Sequence, residues 1–219
     1  DASTANTANL VKNYVPNNGY NNKFTIIEQK INTKQAHSRM LAYKLCQDDE
    51  ICCMVDGDDA LIDDPMFLYK LNKIYLNNNL LISYGKFYVY ENNQIKNLLG
   101  FREYTIEDIS NNNYRKKWVT QHLRTCEASL LKSIPEEYMK YNNEWLKCCT
   151  DVAEMWYVLE KSNGRHMNIQ IPAYYYNIDS SKKCSYSFLN KDINSNKYYK
   201  YYKNYRNNVM KYLSNYNCN

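Results

Sequence analysis

At 219 residues and 26.1 kDa the chain is long enough for one sizeable α/β domain with at most a small appendage. A net charge of +5, with 23% charged and 44% hydrophobic residues, is ordinary for a soluble protein, and no signal peptide or long apolar span argues for membrane insertion. The eight cysteines make no C-x-x-C pair, and the adjacent pairs Cys52-Cys53 and Cys148-Cys149 suit disulfides poorly, so reduced thiols in a cytosolic protein are expected. The 24 tyrosines and abundant Asn reflect an AT-rich coding bias, and runs such as Asn77-Asn78-Asn79 and Asn111-Asn112-Asn113 read as loops.

In chain order, a Ser/Thr/Asn cluster leads into a helical pattern from Ala8 to Val15, with Leu10 and Val11 apolar. Pro16 to Asn22 reads as a loop and Phe24 to Glu28 as a short buried strand. Asn32 or Thr33 then caps a helix through about Cys46, with Ala36, Met40, Leu41 and Leu45 as its apolar stripe. Arg39 near its start either contacts a ligand phosphate or is solvated; spacing does not separate the two.

The run Ile51 to Val55 is rich in strand formers and ends abruptly in Asp56-Gly57-Asp58-Asp59. Three carboxylates at the end of a buried strand are costly without a counter-charge, and ligands of open α/β sheets gather at that end. A divalent cation, Mg²⁺ or Mn²⁺, held by Asp56, Asp58 and Asp59 accounts for them, with Gly57 permitting a tight turn and a phosphate-bearing ligand as the cation's other partner. An ordinary acidic turn is the plain alternative.

Asp63-Asp64-Pro65 opens a helix over Met66 to Leu76, packed through Phe67, Leu68, Leu71, Ile74 and Tyr75. Leu80 to Glu91 alternates as a strand, with Gly85 marking a bulge or a close backbone approach. Gln94 to Arg115 is polar and irregular, and Trp118 to Ile134 combines a Trp, a His and an Arg with a helical tail. Thr150-Asp151 starts an amphipathic helix with Val152, Met155, Trp156 and Leu159 on one face and Gly164 as its stop. Ile169 to Tyr176 is the last strand, and Lys197 to Tyr212 a Lys/Tyr-rich helix. The helix packs on the sheet or on a second copy of the chain in preference to binding nucleic acid or a membrane surface. The alternation of strands and helices gives a layered α/β fold.

Together these landmarks resemble the family 2 glycosyltransferases, whose fold is GT-A, a Rossmann-like nucleotide-diphospho-sugar transferase sheet flanked by helices. Asp1-Ala2-Ser3-Thr4-Ala5-Asn6-Thr7 is similar to the family's D-D-x-S-x-D-x-T segment, with Asn6 in place of Asp. Ala36-His37-Ser38-Arg39 resembles a stretch ending in Arg-Asn, with Met40 in place of the Asn, so only Arg39 carries over. Met54 to Asp59 resembles the strand-terminal L-D-x-D-D that binds metal and donor diphosphate, and Thr150-Asp151 the E-D pair, with Thr150 in place of Glu. His122-Leu123-Arg124-Thr125, with Trp118 upstream, looks like a feature of giant-virus and bacterial members.

The resemblance implies an inverting hexosyltransferase that uses a UDP-linked donor, Mn²⁺ or Mg²⁺, and a glycan, protein or lipid acceptor. It implies Asp1, Ser3, Arg39, Asp56, His122 and Arg124 as donor-binding, Trp118 as acceptor-binding, Asp56, Asp58 and Asp59 as metal ligands, and Asp151 as general base. From its position alone Asp151 reads as a helix N-cap in preference to a base, and His122 alone as a structural histidine or loop side chain in preference to a ligand. Residues 1–178 form the GT-A domain and 179–219 a helical extension. The family's opening strand, helix and strand have no counterpart, so the chain is expected to start partway through the nucleotide-binding half and to leave a sheet edge open. A GT-A-like binding module without activity and a sugar nucleotidyltransferase are the rival readings, and with only 5 glycines and no Gly-rich phosphate loop the second is disfavoured.

Overall fold

A computed structural model describes residues 2, 6–17, 24–179 and 195–216. Helix α1 (Thr7–Asn17) forms where expected, but Leu10 and Val11 are exposed, so its apolar positions are not a buried stripe. The expected loop is helical up to Asn17, and its remainder lies outside the described residues. The expected strand at Phe24–Glu28 is absent: the stretch is irregular, with Phe24, Ile26 and Ile27 exposed. A strand needs a neighbour to complete its ladder, and among the described residues none pairs with this one.

Helix α2 (Lys34–Tyr43) stops at Tyr43, so it buries Ala36, Met40 and Tyr43 and leaves Leu45 exposed beyond its end. Strand β1 (Ile51–Met54) leads into the acidic turn, and the two-residue strand β2 (Ala60–Leu61) leads out of it. Helix α3 (Phe67–Asn78) buries Phe67, Leu71 and Tyr75 at helical spacing, with Leu68 outside. Strand β3 (Ile82–Glu91) turns back into β4 (Gln94–Leu99), a second strand within the stretch expected to be irregular, and α4 (Ile106–Ser110) carries a Thr105–Asp108 capping box. A 3₁₀ turn at Tyr114–Lys116 precedes β5 (Arg124–Glu127), which runs directly into α5 (Ala128–Lys132). The small hairpin β6 (Lys140–Tyr141) and β7 (Glu144–Trp145) is followed by α6 (Thr150–Lys161), β8 (His166–Asn177) and α7 (Ser195–Asn215).

The main sheet runs β1-β5-β3-β8-β2, with β4 beside the second half of β3. Among the described strands of this sheet only β3 and β8 pair in parallel; the other pairs are antiparallel. Since β1 and β3 both oppose β5, β1, β3 and β8 share a direction and their carboxyl ends share one edge. Strand β1 closes the order, and no described strand covers its outer side. Gly85 meets both expectations: the β3–β8 register shifts there, and a Cβ would lie 2.8 Å from the Ile169 carbonyl oxygen.

Alternation along β3 points Ile82 and Tyr84 at one apolar cluster and Phe87 and Val89 at another. The larger cluster joins α2, α5 and α6 and includes Val209 and Leu213 of α7, so the C-terminal helix shares the main core. The smaller lies under α3. Helix α6 is buried from Val152 to Leu159, and this enclosure includes the carboxylate of Glu154.

Candidate active site

Two registers assemble the site. Met54, the last residue of β1, pairs with Arg124, the first of β5. Residues just after β1 therefore meet residues just before β5, and Asp56 faces His122 and Arg124. Ala60 and Leu61 pair with Tyr175 and Tyr174, which folds the acidic turn onto β8. Asp59 then accepts hydrogen bonds from the Tyr174 hydroxyl at 2.8 Å and from the Asn177 N–H at 2.8 Å. The turn is closed by the Asp59 N–H donating to the Asp56 carbonyl at 3.1 Å. A Cβ on Gly57 would meet nothing within 4 Å and its φ lies outside the left-handed region, so this turn does not depend on glycine.

A chain of ion pairs crosses the site. Arg39 donates to Glu154 at 2.8 Å and to Asp56 at 2.7 Å. Arg124 lies 3.8 Å from the other Asp56 oxygen and 3.4 Å from Asp151. Glu154, whose other oxygen accepts from the Tyr43 hydroxyl at 3.0 Å, has no solvent exposure. Burial pushes its carboxyl above the ordinary value, against the opposing pull of Arg39. The Arg39 guanidinium is held more firmly charged than usual, because Glu154, Tyr43 and Asp56 outweigh the cost of its burial. Arg39 is thus a strut between α6 and the acidic turn.

Cys149, with φ +59°, holds the N-cap position of α6, and Asp151 sits inside the first turn facing Arg124. The capping alternative for Asp151 does not apply. A helix start favours negative charge at that place.

Asp56, Asp59 and His122 each bring a potential ligand atom to within 4.8 Å of the other two. Burial, then Arg124 and Arg39, pushes the His122 imidazole down to about 2, and its Nδ1 is buried with no hydrogen-bond partner. Burial raises the Asp59 carboxyl, with Asp58 and Asp56 adding to the rise against the hydrogen bonds from Asn177 and Tyr174. Two carboxylates and an imidazole nitrogen this close together fit a divalent cation. Asp58 is exposed and outside that group. Trp118 is partly buried against the larger core cluster, outside the ion-pair chain. Asp1 and Ser3 lie outside the described residues.

Of the remaining histidines, His37 bonds Gln29 and Thr33 and packs on Trp145, while His166 bonds Tyr114, both away from the acidic turn. Sequence reasoning missed Glu154, Tyr43, Tyr174 and Asn177. Glu154 carried a signal: a lone carboxylate inside the apolar run VAEMWYVL, three residues from Asp151.

No curated protein matches the chain. Residues 1–139 match the sequence model of glycosyl transferase family 2. With the strand-end carboxylates, the mixed sheet and its flanking helices in place, the chain belongs to glycosyl transferase family 2 and has its GT-A fold.

Proposed function

We propose that this glycosyltransferase moves a hexose from a UDP-linked donor to an acceptor hydroxyl with inversion at the anomeric carbon, depends on a divalent metal, and uses Asp151 as general base. The observation that carries the reading is Arg124, set between Asp56 at the end of β1 and Asp151 at the start of α6. A base carboxylate and a metal-ligating carboxylate on one guanidinium put proton removal and leaving-group stabilisation in one small volume.

Asp56 and Asp59 would hold the metal, whose positive charge would offset the negative charge developing on the departing diphosphate. Asp151 takes the proton from the acceptor hydroxyl as its oxygen bonds to the anomeric carbon. The bond from that carbon to the diphosphate oxygen breaks on the opposite face, and its electron pair leaves with the diphosphate. Arg124 contacts its two carboxylates at 3.4 and 3.8 Å, looser than the Arg39 pairs, which leaves its N–H groups able to reach anionic oxygens of the donor. Trp118, on the segment leading into His122, would form a wall for the acceptor sugar.

The test is UDP release and product configuration with a panel of UDP-hexoses and Mn²⁺, in the wild type and in Asp151→Asn. The substitution should lower turnover by roughly 10²–10⁴-fold and leave calorimetric UDP affinity unchanged. Undiminished turnover in the variant, or a product of retained configuration, would overturn the assignment of the base. Absence of metal-dependent UDP binding would overturn the donor reading.

A further inference from the structure

We propose that His122 is itself a metal ligand, so that the centre is a mixed nitrogen–oxygen set of His122, Asp56 and Asp59 which takes Mn²⁺ or a later first-row ion in preference to Mg²⁺ or Ca²⁺. The inference rests on the metal-dependent reading above and adds to it the donor set and its selectivity.

The geometry is close to closure. Bonds of about 2.0–2.2 Å place two ligand atoms on one ion at most about 4.4 Å apart. The three groups already stand within 4.8 Å of one another, so a small contraction on binding completes the set. Asp58, by contrast, is an exposed side chain outside the group.

The imidazole is fixed in place before any ion arrives. Its ring stacks on Tyr174, with centroids 4.6 Å apart and planes 15° from parallel, and lies 5.4 Å from Tyr176 at 24°. Phe87 meets it edge-on at 5.6 Å. Tyr174 does three things at once. It packs on His122, its hydroxyl donates to the Asp59 carboxylate, and the same hydroxyl accepts from the Asp56 N–H at 3.0 Å. One side chain therefore positions all three ligands, as outer-shell partners of metal sites do.

An aromatic slot would serve equally for a structural histidine, and the Nδ1 atoms of His122 and His166 are alike shielded from solvent with no hydrogen-bond partner. What sets His122 apart is a ring nitrogen within 4.8 Å of carboxylate oxygens of both Asp56 and Asp59. Two carboxylates neighbour the ring, and an imidazole nitrogen beside them defines selectivity. Mg²⁺ and Ca²⁺ take oxygen ligands, whereas imidazole suits first-row transition ions.

The test uses Mn²⁺ as the probe, alone and with UDP added, on protein containing ¹⁴N- or ¹⁵N-labelled histidine. Electron spin-echo modulation of bound Mn²⁺ should show a directly coupled imidazole nitrogen that changes with the label. His122→Phe keeps the aromatic stack and removes the nitrogen; it should abolish that coupling and cut the Mn²⁺-over-Mg²⁺ preference at least tenfold. Mn²⁺ bound without nitrogen coupling, or a preference unchanged in His122→Phe, overturns the inference and leaves metal dependence standing. Absence of Mn²⁺ binding by the wild type, with or without UDP, overturns both. The labelled wild-type spectrum decides the question even if the variant does not fold.

Discussion

Replacing Arg39 by Met removes a charge but keeps most of the side-chain stem, so the damage falls on the carboxylate that Arg39 supports. Glu154 is fully enclosed and has two partners, Arg39 at 2.8 Å and the Tyr43 hydroxyl at 3.0 Å. Without Arg39 a buried carboxylate keeps one neutral donor, and breaking a buried pair from one side costs roughly 3–5 kcal/mol. With a urea m-value of about 2–3 kcal/mol/M the midpoint falls by roughly 1–2 M. The loss depends on pH with a definite sign. Burial already raises the folded-state pKa of Glu154 above its unfolded value, and losing Arg39 raises it further. A raised acid pKa means that the fold prefers the protonated form, so stability is greatest below the unfolded value and is lost as pH rises through the folded one. Urea unfolding followed by tryptophan fluorescence should therefore show a smaller deficit at pH 5 than at pH 8. Arg39→Met combined with Glu154→Gln should recover much of it. A deficit below about 1 kcal/mol at pH 8, or one equal at both pH values, would refute the strut assigned to Arg39.

Two further substitutions probe the scaffold around the acidic turn. Gly85→Ala places a Cβ 2.8 Å from the Ile169 backbone oxygen and should cost about 1–3 kcal/mol in chemical denaturation, whereas Gly57→Ala meets open space and should stay within about 0.5 kcal/mol. Tyr174→Phe keeps the stack on His122 and removes the hydrogen bond to Asp59; it should cost about 1–2 kcal/mol and weaken Mn²⁺ binding more than Asp58→Asn does. Equal Mn²⁺ affinities in those two variants would argue against Tyr174 as the positioning residue.

The parts of the molecule legible from sequence are those in which local pattern and tertiary role coincide. A run of strand formers ending in Asp56-Gly57-Asp58-Asp59 announces a strand end, and the apolar spacing of α3 and α6 announces their buried faces. Strand β5 was hidden because Arg124–Glu127 passes into α5 with no turn residue between them. Strand β4, QIKNLL, is almost wholly exposed and reads as polar because one neighbour, β3, suffices to hold it. Phe24–Glu28 carries strand-forming residues without a described strand beside it, so propensity had nothing to act on. The site's wiring is non-local: Arg39 and Glu154 are 115 residues apart, and Asp59 reaches Tyr174 only because β2 pairs with the end of β8. No spacing rule encodes such contacts. That Asp151 is not the cap of α6 follows from Cys149, two residues earlier, which takes the cap position in a left-handed conformation.

The charges explain why the arginines are better read as scaffold than as the donor's main counter-charge. Glu154, Asp56, Asp59 and Asp151 bring four carboxylates to the site, against the two guanidiniums of Arg39 and Arg124. Arg39 is fully engaged at both ends, and Arg124 is shared between two carboxylates. Bringing an anionic diphosphate to that set would add repulsion to a formal excess of negative charge. A divalent cation at Asp56 and Asp59 would cancel that excess, and only then would Arg124 gain by turning its N–H groups toward diphosphate oxygens. Metal and donor should therefore bind with positive coupling, each raising the other's affinity by the same factor. Calorimetric titrations of UDP with and without Mn²⁺, and of Mn²⁺ with and without UDP, measure that factor from both sides after correction for the Mn²⁺–UDP complex in solution. UDP affinity independent of Mn²⁺ would mean that the arginines hold the diphosphate unaided, and that the excess of carboxylates serves the fold alone.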